Sequence, residues 1–165
     1  MMEILDALLK RKAHADRLSN ASGSEGESYA ISQNSTWIER PKGQHLENLL
    51  NELKRTGIDI KRTSFDAIEL PKGIIVDFGS VESIQTHLPK MNFIEIKTTS
   101  KNSVKEDFSG YFFAFTEGEL SAAEQLKSRH KVALINKVTG TVFMSTVPEL
   151  LKRAKSMNWQ VSVQL

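Results

Sequence analysis

Asn92-Phe93-Ile94-Glu95-Ile96-Lys97-Thr98-Thr99 is the stretch that organises the reading of this chain. In an extended strand successive side chains point to opposite faces, so Phe93, Glu95 and Lys97 share one face and Ile94 and Ile96 the other. A Glu-x-Lys tripeptide is common, and on an exposed strand it would be a solvated outer face. Here the flanking residues are apolar enough for a central strand, and the polar run Thr98-Thr99-Ser100-Lys101 follows directly.

Upstream, Leu46, Leu49, Leu50 and Leu53 keep the i, i+3, i+4, i+7 spacing of an amphipathic helix, with Gly57 placed to end it. Short strands are expected at Phe65 to Leu70 and Gly73 to Phe78, with a short helix near 80–88. Downstream, the aromatic run Tyr111 to Phe115 reads as a fourth strand. Thr116 and Glu119 make a capping-box pair opening a helix through Leu120, Ala123 and Leu126. Val132 to Asn136 and Thr141 to Val147 form a hairpin about Thr139-Gly140. Pro148 suits the first turn of a helix to about Ser156, and Trp159, Val161, Val163 and Leu165 alternate with polar residues as a terminal strand. At the other end, residues 3–18 set Ile4, Leu5, Leu8, Leu9 and Leu18 near one helical face, and residues 19–28 (Ser-Asn-Ala-Ser-Gly-Ser-Glu-Gly-Glu-Ser) read as a flexible linker. The organisation expected is an N-terminal helix and linker over 1–28 and a domain over 29–165, with its core at about 43–136 and a C-terminal helix and strand over 148–165. The fold class is α/β or α+β, a mixed central sheet flanked by helices.

The 165 residues, 39% hydrophobic and 25% charged, suit one soluble domain. No cysteine is present, which excludes disulfides, zinc-thiolate centres and thiol nucleophiles and agrees with a reducing cytoplasm. No stretch reaches the roughly 20 apolar residues of a membrane span. Lys10, Arg11 and Lys12 follow the first apolar residues instead of preceding them, the wrong order for a secretory signal. The formal charge of +2 allows nucleic-acid binding without the strong basicity of a dedicated DNA-binding domain.

Two acids and a lysine held at the end of a sheet can hydrolyse a phosphodiester. The acids bind a hard divalent cation, the cation activates water, and the lysine steadies charge in the transition state. Glu95 and Lys97 supply two members. The other acid is expected from an earlier strand, with Asp66 in Ser64-Phe65-Asp66-Ala67-Ile68 preferred and Asp77 in Ile75-Val76-Asp77-Phe78 as the rival. Asp77 could equally cap the turn at Gly79-Ser80.

A helix bearing an acid, an Asp-containing strand, a Glu-x-Lys strand, then helix and strand resembles the core of the PD-(D/E)xK nucleases. The resemblance runs from about Gly43 to Asn136. More narrowly, Phe93 to Thr99 followed by Gly110 to Glu117 is similar to domains of bacterial restriction and defence systems, including the small catalytic subunits of heterodimeric restriction enzymes. The resemblance implies a restriction-endonuclease-like core. It implies Asp66 (or Asp77) and Glu95 as metal ligands, Lys97 as catalytic lysine, and Glu47 on the Leu-rich helix as accessory acid. Phe65 stands where the family often has proline, and the interval from Asp66 to Glu95 is long, so an insertion must fold out between the two strands. The activity implied is Mg²⁺-dependent cleavage of DNA, with Mn²⁺ as the alternative ion. One strand would be cut per site, with sequence recognition left to a larger partner subunit or a homodimer. The second reading is an inactive nucleic-acid-binding or assembly subunit that keeps the fold.

Lys101 and Lys105, with Thr98 and Thr99, are the candidate phosphate contacts beyond the active strand. Gln125 is a weaker candidate for the site. His14, His45, His87 and His130 lack metal-ligand spacing and read as surface residues. The rings of Tyr111 to Phe115 read as core packing ahead of a base-stacking platform.

Overall fold

The computed structural model describes residues 25–158 and 163–165. The helix expected over 3–18 lies outside these residues, as do Trp159 and Val161 of the expected terminal strand. Residues 163–165 carry no strand pairing.

A mixed five-stranded sheet runs through the molecule in the order β1-β2-β3-β4-β5. Its strands are β1 (Trp37–Glu39), β2 (Ala67–Glu69), β3 (Asn92–Thr99), β4 (His130–Asn136) and β5 (Thr141–Ser145). Neighbours are antiparallel except β3 and β4, which run parallel from Phe93 opposite His130 to Thr99 opposite Asn136. A parallel pair needs a crossover, and the helix that supplies it carries an acid discussed below. The helices are α1 (residues 25–33), α2 (Gly43–Arg55), α3 (Val81–His87), α4 (Glu117–Leu126) and α5 (Val147–Arg153).

Each face of the sheet is buried under helices, the condition for a central strand as apolar as β3. Leu46, Leu49 and Leu53 of α2, Ile84 of α3, and Ala122 and Leu126 of α4 pack with Ile68 and Phe93 on one face. Val147 and Leu150 of α5 extend that layer over Val132 and Leu134. On the opposite face Ala30 and Ile31 of α1 lie on Trp37, Ala67, Ile94, Ile96, Ala133 and Ile135. Isoleucines and phenylalanine of β3 therefore part to opposite sides, as the alternation requires.

Several local signals decide the ends of elements. Gly57 takes φ +89° behind α2, a backbone that side-chain-bearing residues avoid. Capping boxes open α4 at Thr116/Glu119 and α5 at Thr146/Glu149, the latter with Pro148 in its first turn. Helix α5 ends at Arg153, three residues before the expected stop.

Several expectations differ from the structure, among them the strand at Thr141 to Val147, which stops at Ser145. Gly73 to Phe78 forms no strand; Ile74, Val76 and Phe78 pack singly against the α2–α3 core while Ile75 is exposed. Tyr111 to Phe115 is also without a ladder, because its inward rings are satisfied by stacking instead of by pairing. The strand at 65–70 narrows to Ala67–Glu69. Residues 25–28 are helical instead of linker, and the core begins with Ala30 and Trp37, well before Gly43.

The helical placement of 25–28 has a steric reason. Gly26 is buried on β3, and a Cβ there would stand 2.5 Å from Thr98 Cγ2 and 2.6 Å from its Oγ1. Only glycine lets α1 approach the sheet so closely. Gly26→Ala should therefore destabilise the protein by about 1–3 kcal/mol in denaturant unfolding, the usual cost of overpacking. Adding Thr98→Ala should recover part of the loss; no recovery would show that the two positions do not touch.

Candidate functional site

Phe65 and Phe93 meet edge to face with centroids 5.0 Å apart, which locks the segment before Asp66 to the start of β3. The Asp66 N–H then donates to the Ile94 carbonyl, and Asp66 Oδ2 accepts from the Ile96 N–H, each at 2.8 Å. Asp66 brackets Glu95 in this way, with its carboxylate standing where the next carbonyl of the ladder would be. From the other side Arg40, just past β1, donates its guanidinium to the Phe65 carbonyl and its own N–H to the Asp66 carbonyl.

Glu95 and Lys97 project from one face of β3, as the alternation requires. Lys97 Nζ lies 2.8 Å from Glu95 Oε1 and 3.0 Å from Glu119 Oε2. Glu119 is held in turn by the Thr116 N–H, so the capping box that starts α4 also fixes the lysine. The Phe115 ring lies 5.5 Å from the Lys97 ammonium. Glu95 is only 4% exposed, and its Oε2 is a buried oxygen with no hydrogen-bond partner.

Glu27 of α1 joins the group. The charges of Asp66, Arg40 and Lys97 all act on it, although it comes from the opposite layer of the sheet. Four carboxyl groups thus share a region with Lys97 and Arg40, and burial there penalises the negative charges of Glu27, Asp66 and Glu95. Burial, with Asp66 adding repulsion, lifts the Glu27 carboxyl to about 7. The same two causes push Glu95 well above the carboxylate range, and burial raises Asp66. Lys97 is held above its ordinary value by Glu95 and Glu119, against its own burial. An unneutralised excess of buried carboxylates takes up either protons or a cation.

The remaining expected residues lie elsewhere. Glu47 is half-buried and ion-paired with Arg62 at 3.1 Å, turned to that guanidinium and away from the acids. Asp77 is exposed, and its Oδ1 accepts from the Gly79 N–H, so it caps a turn. Thr98 gives its carbonyl to the Tyr111 hydroxyl and its side chain to the Gly26 contact. Thr99 is buried, with Oγ1 accepting from the Lys101 N–H. Both threonines are occupied in structure, whereas Lys101 and Lys105 are exposed. Gln125 bonds the backbone of Asp59, outside the site. His14 lies outside the described residues and His45 is exposed, but His130 is 1% exposed, a correction to its surface reading. As the first residue of β4 it sits beside Phe93, and burial lowers its imidazole from the ordinary histidine value.

No protein-family model matches the chain, and neither does any curated protein or any solved structure. The chemistry has to be argued from the residues themselves. Among the described residues no three His, Asp or Glu side chains already converge as a metal cage. The donor set nevertheless fits a hard cation. Asp66, directly before β2, and Glu95 on β3 offer carboxylate oxygens of the type such an ion takes, and Glu95 Oε2 is a buried oxygen without a partner.

Glu27 was hidden within a Ser- and Gly-rich run. A signal was nevertheless there: Ser24 followed three residues later by Glu27, ahead of Tyr29-Ala30-Ile31, is a helix-start pattern. Glu119 is legible as a capping residue, and one carboxylate performs both tasks. Glu27 also gives a pH test. Its folded value of about 7 exceeds its ordinary 4.5, so the folded state keeps a proton that the unfolded chain loses between those pH values. With divalent ions chelated, the wild type should lose stability relative to Glu27→Gln as pH rises from about 4.5 to 7, and the gap should stay constant above. Parallel stability curves for the two proteins would remove Glu27 from the buried acid group.

Proposed function

We propose that this chain is a metal-dependent phosphodiesterase acting on DNA, of the PD-(D/E)xK type, with Asp66, Glu95 and Lys97 as its central residues. The observation carrying this reading is the lysine beside two acids, one on β3 and one directly before β2: Asp66 brackets Glu95 through the Ile96 N–H, and Lys97 stands 2.8 Å from Glu95. The order of elements supports it. With α2 and α3 taken as insertions, the chain runs helix with an acid, strand, Asp-led strand, Glu-x-Lys strand, helix, strand. In that order Glu27 of α1 takes the accessory role first assigned to Glu47.

A Mg²⁺ or Mn²⁺ ion held by Asp66 and Glu95 would supply Lewis-acid polarisation of the phosphate and a water of lowered pKa. The chain's own groups do the rest. Arg40 holds the backbone of Phe65 and Asp66, and the Ile96 N–H holds the Asp66 carboxylate beside Glu95, so the acid is placed before any ligand arrives. Glu119 holds the Lys97 ammonium at the edge of the acids, where it can orient a water or meet negative charge building on the phosphoryl oxygens. The nearby Phe115 ring and the packed strand behind it keep bulk water from screening that charge. A single site of this kind cuts one strand, so a double-strand break takes a second site from a homodimer or a larger recognition subunit. A restriction or defence role in the cytoplasm is the biological setting that fits this division of labour.

Supercoiled plasmid should be nicked by the protein with Mg²⁺ or Mn²⁺. Lys97→Ala should lower the rate on the order of 100-fold or more, the range for loss of one preorganised electrostatic contact. Nicking that survives both Lys97→Ala and Asp66→Asn would belong to a contaminant and would sink the assignment. A folded wild type that binds DNA yet cuts none with either metal and any partner strand would favour the inactive binding subunit.

A further inference from the structure

The segment from Tyr111 to Phe115 has the sequence of a strand but no strand partner. Among the described residues, no backbone hydrogen bond joins 112–115 to another segment. What holds it is its side chains. Tyr111, Phe113 and Phe115 point inward and pack in series, with ring centroids 5.1 Å and 5.3 Å apart. At one end the Tyr111 hydroxyl donates to the Thr98 carbonyl, directly after the catalytic strand's Lys97. At the other end Phe115 lies 5.5 Å from the Lys97 ammonium, and Thr116 begins α4.

Alternation then sends Phe112 outward, where it is 77% exposed. Core packing accounts for three of the rings and leaves this one unexplained. A large exposed ring on a loose loop would be unremarkable, but this one stands on a strap fixed at both ends and along its length. The strap borders the acids and the lysine, and the loop leading into it presents the exposed cations Lys101 and Lys105. An exposed ring on an anchored segment whose Phe115 lies 5.5 Å from the Lys97 ammonium, with the exposed cations Lys101 and Lys105 earlier in the same loop, makes a stacking platform for single-stranded nucleic acid.

The geometry points to Phe112 as the seat of an unstacked nucleobase next to the cleaved phosphate. The substrate class is then nucleic acid carrying unpaired nucleotides: a single strand, a flap or a locally opened duplex. This inference rests on the nuclease reading and adds the substrate class to it. The base stacks on the outer face of the ring while Lys101 and Lys105 meet the flanking phosphates. A fully paired duplex keeps its bases inside and offers the ring nothing to stack on.

The test uses the full chain with Ca²⁺ in place of Mg²⁺, and oligonucleotides bearing one 2-aminopurine, either single-stranded or in a matched duplex. Anisotropy gives the Kd and base fluorescence reports stacking. Phe112→Ala should weaken single-strand binding about tenfold, within the range for loss of one stacked base, and abolish the quenching. Phe112→Tyr should restore both, Phe112→Leu should restore neither, and duplex binding should stay unchanged across the series. The ring is exposed, so all three variants should keep the wild-type melting temperature. Equal loss on single strand and duplex would overturn the inference, as would full binding by Phe112→Leu. An altered sedimentation of Phe112→Ala with unchanged nucleic-acid binding would also overturn it, by marking a protein contact. In each of these cases Lys97-dependent nicking would still stand. A wild type that binds neither oligonucleotide and nicks no plasmid would instead remove the nuclease reading together with this inference.

Discussion

The Lys97 ammonium, wedged between Glu95 and Glu119, is the contact on which the rest of this structure turns. A strand in the middle of a covered sheet is an expensive place for a carboxylate, and Glu95 is accompanied there by Asp66 and approached by Glu27. Lys97 offsets part of that cost and does so in a fixed geometry, since Glu119 is itself tied to the backbone that opens α4. The crossover from β3 to β4 is thereby anchored at its helix start by the same residue that faces the lysine. Removing one partner of such a buried pair costs far more than an exposed pair is worth, because the other charge is left unpaired.

Much of this was legible in the sequence. The alternation from Asn92 to Thr99 placed Glu95 and Lys97 on one face, and the leucine spacing of α2 and the Thr116/Glu119 capping box located two helices. Those signals are local, and local signals survive folding. Asp66 was separable from Asp77 only as a preference, since both follow apolar residues near glycine or serine. What distinguishes them is tertiary: Asp66 accepts from the Ile96 N–H, while Asp77 accepts from its own turn. Glu47, the accessory acid that the resemblance implies, is ion-paired with Arg62, fifteen residues on, a tertiary contact that helical spacing does not reveal. His130 deceived by type, for a histidine opening a central strand is buried by its neighbours whatever its own polarity.

The two failures of strand assignment share a cause. At Gly73 to Phe78 and Tyr111 to Phe115 the composition is that of a sheet, yet strand propensity measures how well side chains fit a packed surface more than it measures backbone pairing. Ile74, Val76 and Phe78 find that surface against α2 and α3, and the aromatic strap finds it in its own rings. In both cases the side chains are satisfied first and the ladder is dispensable.

The close seat of Gly26 on Thr98 has one more consequence. Glu27 reaches the acids from the layer behind the sheet, and Glu119 reaches them from the layer in front. The cluster therefore draws on both layers and on most of the chain's length. A chain still emerging from the ribosome, or one with α1 detached, holds only part of the set. Assembly of the acid cluster therefore reports on the whole fold, because no single layer carries it.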